Sequence, residues 1–245
     1  MKACIALLPI FISMNLLAQT KKINTEDIAQ NLKETYSVLK ADKQIKQGEY
    51  ASFNYYDHKA ICKGFYKNNL KDSTWVYYGF KNNSAEGSYK NGRRVGHWKI
   101  YTYNGVLQME YDFTNSVMLF LKQNPKDSAR VYEIIQGTDT VKTRLDRAPI
   151  YLNGEAAITR ILIATTRYPA AARERNIQGR VIIGITIDEN GVASNYRIKK
   201  AVGYGCDEEA LRVAKLITGD WLPAMLNGKA VKLEQDIPFN FALGN

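Results

Sequence analysis

A 23-residue internal period restricts the fold of this chain more than any other feature. Gly64-Phe65-Tyr66-Lys67-Asn68 returns as Gly87-Ser88-Tyr89-Lys90-Asn91, and Ser73-Thr74-Trp75 with Tyr78 returns as Gly96-His97-Trp98 with Tyr101. Trp75 and Trp98 are 23 residues apart, as are Gly64 and Gly87. A fixed period of this size marks an array in which each unit buries its apolar face only against its neighbours. Aromatic and polar residues alternate within a unit, and Asn91-Gly92 and Asn104-Gly105 tolerate the positive φ of tight turns, so each unit reads as a β-hairpin. Gly48-Glu49-Tyr50 with Phe53 is a degraded first copy.

This glycine and aromatic skeleton resembles the MORN-like repeats of bacterial antitoxin-type proteins. The repeat region is assigned to residues 42–146. Its last part holds two bridging strands, Val117–Leu121 and Val131–Ile135, around a turn at Gln123–Asp127. Trp75, Trp98 and the tyrosine rows read as the packed face of a sheet, with a ligand platform as the alternative.

The N-terminus reads as a targeting signal over residues 1–18. Lys2 precedes an apolar run that ends in Leu16-Leu17-Ala18, which suits cleavage before Gln19. Cys4 to Ala18 spans roughly 22 Å as a helix, against about 30 Å of bilayer hydrocarbon. Cleavage is the expectation, and a retained, tilted anchor is the alternative. Residues 25–41 are expected to form a short helix, because Ile28, Leu32, Tyr36 and Leu39 fall near helical spacing behind Thr25-Glu26-Asp27. Cys62 and Cys206 lie in different modules and are expected to be free thiols, although an exported compartment permits a bridge.

The last hundred residues change texture again. Ile158, Ile161, Leu162 and Thr165 mark a helix face, and Pro169 opens a second short helix over Ala170–Arg175. Val181, Ile183, Ile185 and Ile187 alternate as a strand, Asn190-Gly191 turns, and Tyr196 and Ile198 return. Ala210, Val213, Ala214 and Ile217 form the main helix face, with Asp207, Glu208 and Glu209 complementing its dipole. Ile237, Phe239 and Phe241 make the last strand. The expected class is therefore α+β: an N-terminal antiparallel hairpin-repeat sheet, then, over 147–245, helices packed on one face of a three-stranded sheet.

Several islands within this region carry a second resemblance: Tyr168-Pro169, Gln178-Gly179-Arg180-Val181, Asp188-Glu189-Asn190-Gly191, Trp221-Leu222-Pro223-Ala224, Asn227-Gly228-Lys229 and Pro238-Phe239-Asn240-Phe241. In that order and spacing they resemble the C-terminal domain of TonB-type energy transducers. The resemblance implies a periplasmic, non-catalytic module that captures an N-terminal peptide of an outer-membrane TonB-dependent transporter by strand addition. It also implies contact with inner-membrane motor proteins if the N-terminal segment stays as an anchor. Complete transducers carry a long Pro-rich spacer, whereas this chain has six scattered prolines and a repeat sheet in that place.

No catalytic constellation emerges, and no cofactor is implied. His58 and His97 have no metal-ligand spacing, and there is no nucleophile elbow or phosphate loop. The candidate site is the last strand, at Leu233, Gln235, Ile237, Phe239 and Phe241, because Pro238 is tolerated mainly at a sheet edge. An exposed edge accepts an added strand. The competing reading is an edge blunted against aggregation by Glu234, Asp236 and Pro238. A net charge of +10 suits an anionic partner. No aromatic-plus-basic nucleic-acid motif is present. The alternative function is a structural envelope protein whose repeat sheet binds anionic glycan, lipid or a partner protein through Lys63, Lys67, Lys71, Arg93 and Arg94.

Overall fold

A computed structural model describes residues 19–122, 130–217 and 220–243. The apolar segment 1–18 and the turn at 123–127 lie outside the described residues. Nine strands follow one another in a single antiparallel meander: β1 (Thr20–Asp27), β2 (Leu32–Leu39), β3 (Lys46–Asn54), β4 (Ala60–Lys67), β5 (Leu70–Tyr78), β6 (Asn83–Lys90), β7 (Arg93–Tyr101), β8 (Leu107–Asp112) and β9 (Val117–Leu121). Residues 25–41 are thus not a helix. Tyr36 pairs with Ile23 across β1–β2 and with Tyr50 across β2–β3. A turn at 28–31, with Asn31 at φ 54, breaks the segment, so the apolar spacing belongs to two strands of a sheet and not to one helix face.

The period has a steric origin. A Cβ on Gly64 would sit 2.2 Å from the Trp75 ring, and one on Gly87 would sit 2.1 Å from the Trp98 ring. Each tryptophan lies flat over the glycine of the strand before it. The hairpin turns repeat as well: Asn68-Asn69 and Asn91-Gly92 place two consecutive residues at positive φ, the signature of the type I′ turn. The tryptophans are the buried centre of one face. Trp75 stacks on Tyr50 at 5.4 Å, and Tyr89 packs edge-on against Trp98 at 5.4 Å. One cation per unit lies on these rings. Lys46 covers Tyr36, Lys71 covers Trp75 and Arg94 covers Trp98, at 4.4 to 4.6 Å from the ring centroids.

The C-terminal sheet has five strands where three were expected. Its order is β11 (Asp139–Thr143), β10 (Tyr132–Gln136), β18 (Leu233–Phe241), β13 (Gly179–Ile187), β14 (Ala193–Lys200). The two additional strands come from the segment assigned to the repeat region, so only β9 of the bridging pair belongs to the repeat sheet. Ile134 and Leu233 share a small core with Tyr132 and Ala224, which explains why the bridge joins this sheet. Among the described residues there are three helices: α1 (Glu155–Thr165), α2 (Ala170–Glu174) and α3 (Cys206–Ala214). Val181, Ile183, Ile185, Ile237, Phe239 and Phe241 meet Ala210, Val213 and Ile217 in the main core. The opposite face carries a charge network, with Glu234 accepting from Arg197 at 2.5 Å and from Lys199 at 2.8 Å. Between them run two short pairs, β12 (Ile150–Tyr151) with β15 (Trp221–Leu222), and β16 (Ala224–Leu226) with β17 (Lys229–Val231).

The two sheets are docked. Leu152 and Leu222 are buried in the aromatic core of the repeat sheet. Arg160, on α1, is buried and donates to the carbonyls of Lys59, Ala60 and Tyr78 at the ends of the repeat strands. Asp220 pairs with Arg94, and Ser84 donates to the Asn153 carbonyl at 2.6 Å. Cys62 and Cys206 are both buried free thiols.

Candidate functional site

The last strand lies inside the sheet at one end and at an edge over the rest. β13 runs the full length of β18, from Gly179 opposite Phe241 to Ile187 opposite Leu233. On the other side β10 meets β18 at one pair only, Ile134 with Leu233. Beyond it the two strands diverge, and among the described residues no strand pairs with that side of 235–241.

The register decides which groups face the open side. Ile135 N–H donates to the Lys232 carbonyl at 2.8 Å, so position 232 faces β10. Backbone groups alternate along a strand, so Glu234, Asp236, Pro238 and Asn240 face outward while Leu233, Gln235, Ile237, Phe239 and Phe241 face β13. The five positions singled out from the sequence therefore spend their backbone groups on β13. Leu233, Ile237, Phe239 and Phe241 also bury their side chains in the core. The groups open to an added strand are the Asp236 and Asn240 N–H and the Pro238 and Asn240 carbonyls. Pro238 lacks its N–H at an outward position, which costs the β13 ladder nothing. The Asp236 carbonyl accepts from Gln235 Nε2 at 3.1 Å.

A cleft of about 380 Å³ opens where β10 and β18 diverge. Gln235, Ile237 and Pro238 form one wall, Arg130 and Tyr132 another, and α1 contributes Glu155, Ile158 and Leu162. The repeat sheet closes it with Ile100, Gln108, Leu121 and Lys122, so the cleft exists only because the two modules are docked. Arg147 and Trp221 also line it. Arg147 is held by its bond to the Pro223 carbonyl at 2.9 Å, and burial lowers its basicity from the ordinary arginine range. Trp221 is 6% exposed and packs on Tyr151, with ring centroids 5.0 Å apart. Sequence reading placed Trp221 in the core but gave no sign of this cleft, whose residues come from segments more than a hundred positions apart.

The basic candidates do not make one surface. Lys71 and Arg94 lie on the aromatic face, where Lys71 donates to the Tyr77 hydroxyl at 2.8 Å and Arg94 pairs with Asp220. Lys63, Lys67 and Arg93 are exposed on the opposite face. Among the described residues no group of three or more His, Cys, Asp or Glu side chains is placed to hold a metal, and no helix is long and apolar enough to cross a membrane.

Residues 164–243 match the family described as Gram-negative bacterial TonB protein C-terminal. The C-terminal third of the chain is thus similar to a family of non-catalytic energy-transducer modules. Among solved structures, the chain is similar to the NMR solution structure of the Helicobacter pylori TonB C-terminal domain (residues 179–285), at 21% identity over 36% of this chain and 78% of that one, with a TM-score of 0.28. No curated protein matches the chain.

Proposed function

We propose that the C-terminal module binds an extended peptide by adding it to the open edge of β18, between Asp236 and Asn240, and that it does so without catalysis. The observation that carries this reading is the divergence of β10 from β18, which leaves outward backbone donors and acceptors beside a cleft able to take side chains. The match of residues 164–243 to the TonB C-terminal family supports a partner of stated kind, the N-terminal segment of an outer-membrane TonB-dependent transporter, met in the periplasm. The repeat sheet then serves as the wall that completes the cleft. An anionic-surface role for the repeats has less support, because Lys71 and Arg94 are already engaged.

Amide hydrogen exchange of the full chain, with and without N-terminal transporter peptides from the same cell, tests this. New protection is expected at Asp236 and Asn240. Asn240→Pro removes an outward N–H that β13 does not use, so the fold survives while affinity falls about tenfold or more. Protection confined to the Trp75 and Trp98 face would sink the edge model and make the repeats the binding surface.

A further inference from the structure

Two buried donor nitrogens, Arg147 Nε and Trp221 Nε1, have no acceptor among the described residues, and both residues line the cleft beside β18. Buried polar groups are nearly always paired, so two orphans on the lining of one cleft call for an explanation. Neither can accept a hydrogen bond; both are donors only. The group that would satisfy them is therefore an acceptor. Arg147 carries a full positive charge, and charge-assisted bonds to carboxylates are the strongest available to a guanidinium.

The rest of the lining carries two cations and two carboxylates, so Arg147 leaves the cleft with a positive excess. The two cations are Lys122 and Arg130. The two carboxylates in the lining are Asp146 and Glu155. Asp146 is turned toward the 227–228 loop, where its Oδ2 accepts the Gly228 N–H at 3.0 Å. Glu155 sits in the first turn of α1. The apolar contributions of Ile100, Leu121, Ile158 and Ile237 would exclude water around a bound group and strengthen its hydrogen bonds.

We propose that this cleft is a carboxylate subsite, in which Arg147 and Trp221 hold the acidic side chain of the strand added along β18. The subsite rests on the peptide-binding reading for its occupant. Its chemistry does not, since a free carboxylate of similar size fits the same donors. It also gives the docked repeat sheet a part in the site: Lys122, Ile100 and Leu121 come from the repeats.

The chain has three tryptophans, and the other two are already bonded. Trp75 Nε1 donates to the Phe65 carbonyl at 3.1 Å and Trp98 Nε1 to the Leu152 carbonyl at 2.6 Å. Nitrogen-proton NMR of the full chain therefore gives one reporter and two controls, assigned with Trp221→Phe. Titration with N-acetylglutamate at neutral pH should move the Trp221 indole signal downfield in a saturable way and leave the other two in place. N-acetylglutaminamide, which has no carboxylate, should bind about tenfold more weakly, and Arg147→Gln should weaken the glutamate response by a similar factor. Unmoved Trp75 and Trp98 signals in that variant show that it is folded. A Trp221 indole signal indifferent to N-acetylglutamate, or one that answers the amide equally, would overturn the subsite. If N-acetylglutamate titrates Trp221 but no transporter peptide protects Asp236 and Asn240, the subsite stands and the strand-addition reading fails.

Discussion

Trp98 of the repeat sheet donates its indole N–H to the Leu152 carbonyl of the C-terminal module at 2.6 Å, with both residues at most 2% exposed. The docking of the two modules thus includes a buried polar bond as well as apolar contact. Trp98→Phe leaves the Leu152 carbonyl buried and unpaired, and should lower the stability of the full chain by about 1–3 kcal/mol in urea denaturation. A change below a few tenths would mean that the carbonyl finds another donor and that the docking is loose.

Gly64→Ala and Gly87→Ala place a methyl group about 2 Å from a tryptophan ring. Neither ring can move away, since Trp75 and Trp98 are enclosed on both sides by tyrosines. Each substitution should cost at least the roughly 1–3 kcal/mol of an overpacked core, measured by thermal and urea unfolding. Wild-type stability in either variant would show that the tryptophan does not lie over its glycine.

Trp221→Ala should cost about 3–5 kcal/mol, the range for truncating a large buried aromatic. Trp221→Phe keeps ring contact with Tyr151 and removes a donor that has no acceptor among the described residues, so its cost should be well below that of the alanine variant. Equal losses in the two variants would place an acceptor on Trp221 Nε1 in the unliganded protein.

Burial works to raise the Glu234 carboxyl, but hydrogen bonds and charge from Lys199 and Arg197 outweigh it and hold it below its ordinary value. A carboxyl depressed on folding stabilises fully above its unfolded pKa, near 4.3, and that stabilisation is lost as pH falls through the lower folded value. Glu234→Gln should therefore flatten the acid limb of stability below about pH 4, while the loss of the ion pairs shows at neutral pH. An acid limb of unchanged steepness in urea titrations across pH would assign that limb to other carboxylates.

The repeat sheet was legible because its period is written by contacts between neighbouring strands. The glycine under each tryptophan lies 11 residues before it, and Asn-Gly turns mark the hairpin ends. The first hairpin was not legible, because Ile28, Leu32, Tyr36 and Leu39 satisfy a helical spacing and only the pairing of Ile23, Tyr36 and Tyr50 across three strands decides against it. The alternation of β13 and the last strand showed where the core of the C-terminal module would be. Which side of β18 stays open was hidden, since Ile134 and Leu233 meet across 99 positions of sequence. Sequence separation also hid Arg147 and Trp221 as neighbours in one cleft: Trp221 reads alone as a packing residue, and nothing near Arg147 in sequence points to the cleft that both line.

The nine repeat strands lie in sequence order, each bonded only to the strand before and the strand after. Such a sheet is a ruler. Inserting one more 23-residue unit between β5 and β6 would add two strands and displace β1 by about 10 Å, breaking the bonds that the β1–β2 turn makes to the C-terminal module, from Asn31 to the Ala164 carbonyl and from Arg167 and Arg212 to the Ile28 and Ala29 carbonyls. The C-terminal module thereby fixes the length of the sheet, because it holds the β1–β2 turn at one end and the strands beside the cleft at the other.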